Sequence, residues 1–287
     1  MAGWFSLDHQ GATAADLRAA EIVRGWLLEA GVRCEIALGE PFSSGVRWDQ
    51  VRPSRYDSVF VVCGPVAPGM PLEQLVERFS GRRLVGVNLS VLQPLEIWDP
   101  WSTLLPRDGV GVETAPDLTF VGEPAAVPVV ARVQVHVENE YEGAAPDFVH
   151  AAFDRLLAGR DAAVIPVDTR LDANTGGLRS AAQVEAMIAH ADVVLTTRLD
   201  GLVFALRTGV PAVAVDAIPG GAKVIAQARA LGWPHALVVD DLDDGSLERA
   251  YESCLTSHAR TLARNCARRA ADQLGSARRE VQAAATG

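Results

Sequence analysis

The sequence runs to 287 residues, and at roughly 150 residues per domain it has the length of two domains or one large one. Hydrophobic residues make up 49% and charged residues 22%, ordinary globular proportions that exclude a disordered or fibrous chain. Its 36 acidic and 26 basic residues leave a formal charge of −10, which argues against nucleic acid or an anionic membrane surface as the main partner.

Short β-branched runs alternate with longer segments of helical periodicity. The first helix is expected over 13–30, with Leu17, Ala20, Ile22, Val23, Trp26, Leu27 and Ala30 on one broad apolar face and Gly31 as its stop. Strands follow at 58–63 and 83–88, with a helix at 72–79 between them. Over 89–128 the rhythm breaks: prolines at 94, 100, 106, 116, 124 and 128, with Trp98 and Trp101, read as a loop-rich end to a first domain and a crossover into a second. The segment 127–137 alternates enough for an edge strand or a longer ribbon. Beyond it, strands at 162–167, 192–196, 211–215 and 236–239 interleave with helices at 147–158, 181–190, 202–208 and 222–231. From 246 to 283 an Ala- and Arg-rich stretch reads as one or two amphipathic helices.

Most of these strands are continuous apolar runs, as parallel strands covered on both faces should be. The expectation is an α/β fold of two Rossmann-like parallel-sheet domains, 1–124 and 125–287, meeting across a cleft at the strands' carboxyl ends. No basic-then-apolar leader opens the chain, and no run of about 18 apolar residues occurs, so neither a secretory signal nor a membrane span is expected. Cys34, Cys63, Cys254 and Cys266 form no short pair and read as free thiols of a cytoplasmic protein.

The densest chemistry lies in 189–216. A strand ends at Thr196-Thr197 and a helix starts near Leu199, so Thr or Asp at the junction can cap the helix while its open N–H groups face an anion. Arg198 beside them is a planar two-pronged donor for carboxylate or phosphate. Lys223, the only lysine, opens a later helix after Pro219-Gly220-Gly221, and a cation there works against the helix dipole unless an anion lies nearby. Arg207 reads as an exposed helix arginine, and Asp172–Gly177 as a turn. The aspartates at 240, 241, 243 and 244 lack a calcium-loop glycine or a ligating histidine and read as a turn capping the last helical segment, so no metal site is expected. Serine-hydrolase, P-loop and zinc-peptidase signatures are absent.

The run Ala191-Asp192-Val-Val-Leu-x-x-Arg198-Leu-x-Gly201-Leu-x-Phe-Ala205-Leu-x-x-Gly209-Val-Pro211, followed by Lys223-Val224, resembles the C-terminal signature of polysaccharide pyruvyl transferases. Tyr56 to Gly64, a strand entering a glycine turn, and Ala115-Pro116-Asp117-Leu118 fit the same family more diffusely. The resemblance implies a GT-B-like pair of domains and transfer of a pyruvyl group from phosphoenolpyruvate, as co-substrate, to a sugar hydroxyl. The implied partners are therefore a small anionic donor and a sugar acceptor, with no bound cofactor. Thr197, Arg198, Gly201 and Lys223 would meet the donor.

The family's Arg-Leu-His is Arg198-Leu199-Asp200 here. Histidine holds or gives a proton near neutral pH, whereas an ordinary aspartate, with a pKa of about 3.9, is charged. The family's opening turn is replaced by Asp8-His9-Gln10-Gly11, where Gly11 lets the backbone approach a ligand and His9 or Asp8 is a candidate for the missing acid–base group beside Asp200. The glycine-rich turn is thinned to Cys63-Gly64-Pro65, leaving Gly64 to cradle phosphate. Two other readings stay open. One is a divergent transferase with a nucleotide-sugar donor and Asp200 as base; the other is a non-catalytic relative that binds a sugar phosphate or a protein.

Overall fold

The computed structural model describes residues 1–42, 44–124, 126–134 and 143–286. The chain divides into two α/β units, Met1–Pro124 and Ala125–Gly287, each with its own five-stranded sheet whose paired strands run parallel.

In the first unit the elements run β1 (Ala2–Gly3), α1 (Ala14–Glu29), β2 (Ser58–Val62), β3 (Pro65–Val66), α2 (Leu72–Arg78), β4 (Arg83–Val91) and β5 (Thr103–Gly109). β4 is the axis of this sheet: β2 and then β3 pair along it, and β5 also pairs with it. Alternation along the strands supplies two cores. Val59, Val61 and Leu84 pack with Leu72, Leu75 and Val76 of α2, while Val62, Val85 and Val87 pack with Ala19, Ala20 and Val23 of α1. Trp26 and Ala30, expected on the apolar face of α1, are exposed. The 89–128 stretch is less irregular than its prolines imply, because β4 runs on to Val91 and β5 forms within it.

The break between β2 and β3 falls at Cys63, and a register shift in β4 falls between Val87 and Leu89. Cys63 and Asn88 hold left-handed backbone there, φ 61° and 56°. Left-handed backbone is several-fold enriched in asparagine and uncommon for cysteine. The buried Asn88 side chain donates to Cys63 Sγ at 3.2 Å, so the two unusual residues brace each other across adjacent strands.

The second unit runs β6 (Val129–Val133), α3 (Pro146–Ala158), β7 (Ala163–Pro166), α4 (Ala181–Ala189), β8 (Val193–Thr196), α5 (Leu199–Arg207), β9 (Ala212–Asp216), α6 (Lys223–Leu231) and β10 (Ala236–Val238). Three helices close it: α7 (Asp244–Cys254), α8 (Ser257–Gln273) and α9 (Gly275–Thr286), where the sequence led us to expect one or two. The spatial order β10-β9-β8-β6-β7 places β6 inside the sheet, not at an edge. The 135–137 end of the strand expected there lies outside the described residues. β8 and β9 are buried along their whole length, which is why they read as unbroken apolar runs. Asp192, just ahead of β8, accepts Val129 N–H at 2.9 Å and pairs with Arg260 of α8, tying that helix to the sheet.

Candidate functional site

The strand order of the second unit reverses at β6. The chain steps outward from β6 to β7, then returns to the other side of β6 with β8 and continues to β9 and β10. In open parallel sheets the crevice beyond the carboxyl ends at such a reversal is where ligands bind, because the two crossovers leave in opposite directions. β6 and β8 meet there, with Val133 paired to Thr196 and Thr197 N–H donating to Val133 O at 3.1 Å.

Thr197, Arg198, Asp200 and Gly201 all fall on this β8–α5 junction. Thr196, fully buried, accepts Arg198 N–H through Oγ1 at 2.9 Å and donates to Arg198 O at 3.0 Å. The hydroxyl thus fixes extended backbone at Arg198, the residue before α5. Arg198 itself takes the N-cap position of α5, and its side chain makes no capping hydrogen bond. The first N–H groups of α5 are the polar end of the junction, with the Arg198 side chain, 20% exposed, beside them. Arg198 Nη2 lies 3.9 Å from Asp200 Oδ2, and the Asp200 side chain is half exposed.

Gly201 has a structural reason to be glycine. A Cβ there would lie 2.3 Å from Thr196 Oγ1 and 2.9 Å from Val133 Cγ1, so the absent side chain lets α5 seat against β6 and β8.

At the next junction Asp216, the last residue of β9, is fully buried and caps α6 from inside the protein. Its carboxylate accepts N–H groups from Ala222 at 2.7 Å, Ile225 at 3.0 Å, Val224 at 3.1 Å and Ile218 at 3.3 Å. Lys223 opens this helix. The Asp216 carboxylate thus puts negative charge at the positive end of the α6 dipole.

His9, Gly11 and Gly64 belong to the first unit, around the carboxyl ends of β1 and β2. His9 is exposed, has φ 51°, and contacts Glu40 at 3.3 Å. Gly11, with φ 79°, has open space where a side chain would be. Gly64 is buried, its carbonyl accepts Ser90 N–H at 3.1 Å, and a Cβ would lie 3.1 Å from Leu72 and 3.2 Å from Trp4. Its close contacts with Leu72 of α2 and Trp4, and its φ of 105°, are a structural reason for glycine here. The α1 N-terminus is closed by Thr13 and Asp16, whose side chains and N–H groups bond reciprocally.

Arg47 and Arg107 carried no signal in the sequence, and each is paired with an aspartate that did. Asp8 holds Arg47 through both carboxylate oxygens, at 2.5 and 2.7 Å, and those bonds together with Glu40 N–H keep its carboxyl well below the usual range. The pair borders a cavity of about 610 Å³ that also meets Trp48 and Glu73. Asp117, noticed only for the Pro-Asp-Leu run, is a hub. Burial pushes its carboxyl up, but bonds from the Thr119 hydroxyl and N–H, from Arg107 and from Asn88 outweigh burial and hold it far below the usual range. The partners come from β4, β5 and the chain after it, too far apart in sequence to announce a cluster.

Among the described residues no group of three His, Cys, Asp or Glu side chains is placed to hold a metal ion, and no helix is long and apolar enough to cross a membrane.

No family model matches the chain, and no curated protein is significantly similar to it. Solved structures similar to it include CalG4, the calicheamicin glycosyltransferase, at 19% identity and TM-score 0.37, over 79% of this chain and 72% of that one. The spinosyn rhamnosyltransferase SpnG, solved with spinosyn aglycone, aligns at 11% identity and TM-score 0.35, over 88% and 74%. The glycotransferase of kitacinnamycin aligns at 13% identity and TM-score 0.36, over 91% and 94%.

Proposed function

We propose that this chain is a group transferase of the polysaccharide pyruvyl transferase kind, which takes a pyruvyl group from phosphoenolpyruvate and sets it as a ketal on a sugar. The observation that carries the reading is the β8–α5 junction: Arg198, its backbone positioned by Thr196, is the N-cap residue of α5 and stands beside the strand-order reversal. Guanidinium and helix N–H groups together suit the phosphate and carboxylate of the donor. In the reaction a proton is added to the enol methylene, a sugar hydroxyl attacks the adjoining carbon, and phosphate leaves from the tetrahedral intermediate. A second sugar hydroxyl closes the ketal.

A second reading has its own observation. Asp200 is the anionic half of an ion pair with Arg198 at 3.9 Å and is half exposed. Its carboxylate stands at the first turn of α5, open to solvent. That suits a base that activates an acceptor hydroxyl toward a nucleotide-sugar donor.

Calorimetry separates the two. Phosphoenolpyruvate is titrated into the protein, with UDP-, GDP- and CMP-sugars run in the same buffer and salt. Micromolar binding of phosphoenolpyruvate, lost in Arg198→Ala, is the expected result. Binding of a nucleotide sugar alone moves the protein to the second reading. If Arg198→Ala alters no donor's affinity, the junction is not the donor site.

A further inference from the structure

The helix α9 has no share in the core of the second unit. None of its residues is buried, and Leu274 just before it and Val281 within it are 64% and 71% exposed. Helical hydrogen-bond spacing is kept on both sides of the α8–α9 boundary: Leu274 N–H donates to Ala270 O at 3.0 Å, and Arg278 N–H to Leu274 O at 3.3 Å. The stripe that seats α8 on the core runs through Ala259, Ala263 and Cys266, all buried. Continued past Ala270 at the same three- and four-residue steps, it reaches Leu274, Ala277, Val281 and Ala284, all exposed. Leu274 and Val281 stand seven residues apart, as do Ala277 and Ala284, which is the a and d spacing of a helix that packs along another helix. An isolated helix of about 12 residues is marginal in water, so the stability of α9 calls for packing that the unit's own core does not supply.

The charge beside this stripe is of one sign. Arg264 and Arg268 of α8 and Arg278 and Arg279 of α9 are exposed, and none of them forms an ion pair among the described residues. Arg268 has only the side chain of Asn265 as a partner. Other arginines of the same unit are taken up, Arg155 by Asp244, Arg160 by Glu248 and Arg260 by Asp192. Residues 257–286 hold six arginines against Asp272 and Glu280, in a chain whose acidic residues outnumber its basic ones 36 to 26. Arg264 and Arg268 lie one turn apart, and Arg278 lies one turn beyond Leu274, at the edge of the stripe.

We propose that the α8–α9 face docks an acidic amphipathic helix of a protein partner. The apolar edge of that helix covers Leu274 and Val281, and its carboxylates pair with Arg278 and Arg279 and, toward α8, with Arg264 and Arg268. Small alanines between the larger side chains let a helix come close and receive its larger residues in turn. A bilayer is the poorer occupant, since binding to it scales with the apolar area buried and this face offers one leucine and one valine. Nucleic acid would meet the arginines and leave both of those side chains uncovered. The same helices of a second copy would bring arginines against arginines. The inference is separate from the transfer chemistry and uses neither Arg198 nor Asp200.

The test uses the full chain and two fluorescent three-heptad peptides, both with Leu at a and d. One carries Glu at e and g and the other Lys, so that neither pairs with itself. By anisotropy the Glu peptide is expected to bind at least about tenfold more tightly than the Lys peptide. Val281→Asp puts a charge in the stripe at a position outside the core, and should weaken binding of the Glu peptide by about tenfold or more. Arg278→Glu combined with Arg279→Glu should reverse the order of the two peptides. Sedimentation of the chain alone, and with phosphatidylglycerol vesicles, runs beside these titrations.

Equal affinity for the two peptides, no binding of either, or binding of the Glu peptide that Val281→Asp leaves unchanged overturns the proposal. Self-association that Val281→Asp abolishes gives the face to a second copy, and capture by the vesicles without binding of the Glu peptide gives it to a membrane surface. Either of these results overturns the acidic helix as occupant.

Discussion

Thr196 and Gly201 are packed so closely that a single methyl group between them has no room: a Cβ on Gly201 would lie 2.3 Å from Thr196 Oγ1. Both partners are constrained, since the same hydroxyl also bonds the N–H and the carbonyl of Arg198. Gly201→Ala should push the first turn of α5 off β6 and β8 and destabilise the second unit by about 1–3 kcal/mol. Urea unfolding measures this. Thr196→Ala should recover part of the loss in the double variant, because neighbours in contact do not act additively. Fully additive losses would mean that the helix is not seated on Thr196.

A buried carboxylate capping a helix gives a second stability prediction. Asp216 is fully buried and accepts four backbone N–H groups at the start of α6 and the turn before it. Asparagine keeps one oxygen but turns an NH₂ toward N–H groups that need an acceptor. Asp216→Asn should therefore cost roughly 2–3 kcal/mol, the range for bonds to a charged partner. Exchange of the amide hydrogens of Val224 and Ile225 should speed up with it. Unchanged exchange there would show that another group closes the helix.

How legible these features were depends on the range over which their causes act. β8 and β9 stood out because burial on both faces makes every residue apolar, and the α5 start at Leu199 was legible from the Thr-Thr-Arg junction. β5 was missed because Pro106, Arg107 and Asp108 break its apolar pattern; proline is tolerated in a strand at a sheet edge, and Arg107 turns to Asp117 and Ser90. The alternation in the β6 segment suggested an edge, yet β7 and β8 pair on its two sides. Gly64 and Gly201 drew notice as ligand-facing glycines, whereas the contacts around them are those of tight packing.

The Asp117 hub makes the first unit sensitive to acid. Its carboxyl is held far below the ordinary range when folded, so between the folded and unfolded pKa values the unfolded chain binds more protons and stability rises with pH. The contribution is complete above the unfolded value of about 3.9 and is lost as pH falls through the folded one. Asp117→Asn should flatten the pH dependence of stability below about pH 4. Denaturant midpoints of the two proteins at pH 5 and pH 3 read this out, and parallel curves would assign the acid sensitivity elsewhere.

Thiol chemistry should separate the four cysteines. Burial pushes the Cys63 thiol up to about 11, against the opposing bond from Asn88, and pushes Cys254 up to about 12. Cys266 is also buried, while Cys34 is partly exposed. At pH 7.5 an aromatic disulfide reagent should therefore titrate about one thiol per folded chain, with the others released only on unfolding, since the thiolate is the reacting form and needs access. Peptide mapping should find the label at Cys34. Rapid labelling of Cys63 would mean that the brace to Asn88 opens in solution.

Asp200 decides between the two donor readings through kinetics as well as binding. If pyruvyl transfer is the reaction, a proton must be added to the enol carbon, and Asp200→His, which sets a side chain able to give a proton near neutral pH at that position, should keep or raise kcat with phosphoenolpyruvate. If a nucleotide sugar is the donor, Asp200 acts as base for the acceptor hydroxyl. Asp200→Asn should then lower kcat by about 10²–10⁴-fold, the usual worth of general-base catalysis, with little change in donor KM. Histidine at 200, able to take a proton near neutral pH, should retain part of that activity and move the acid limb of the rate profile upward. A variant series in which Asn, His and Ala at 200 all match the unmodified protein would remove Asp200 from the chemistry under either donor, leaving Arg198 and the α5 N-terminus as a binding junction alone.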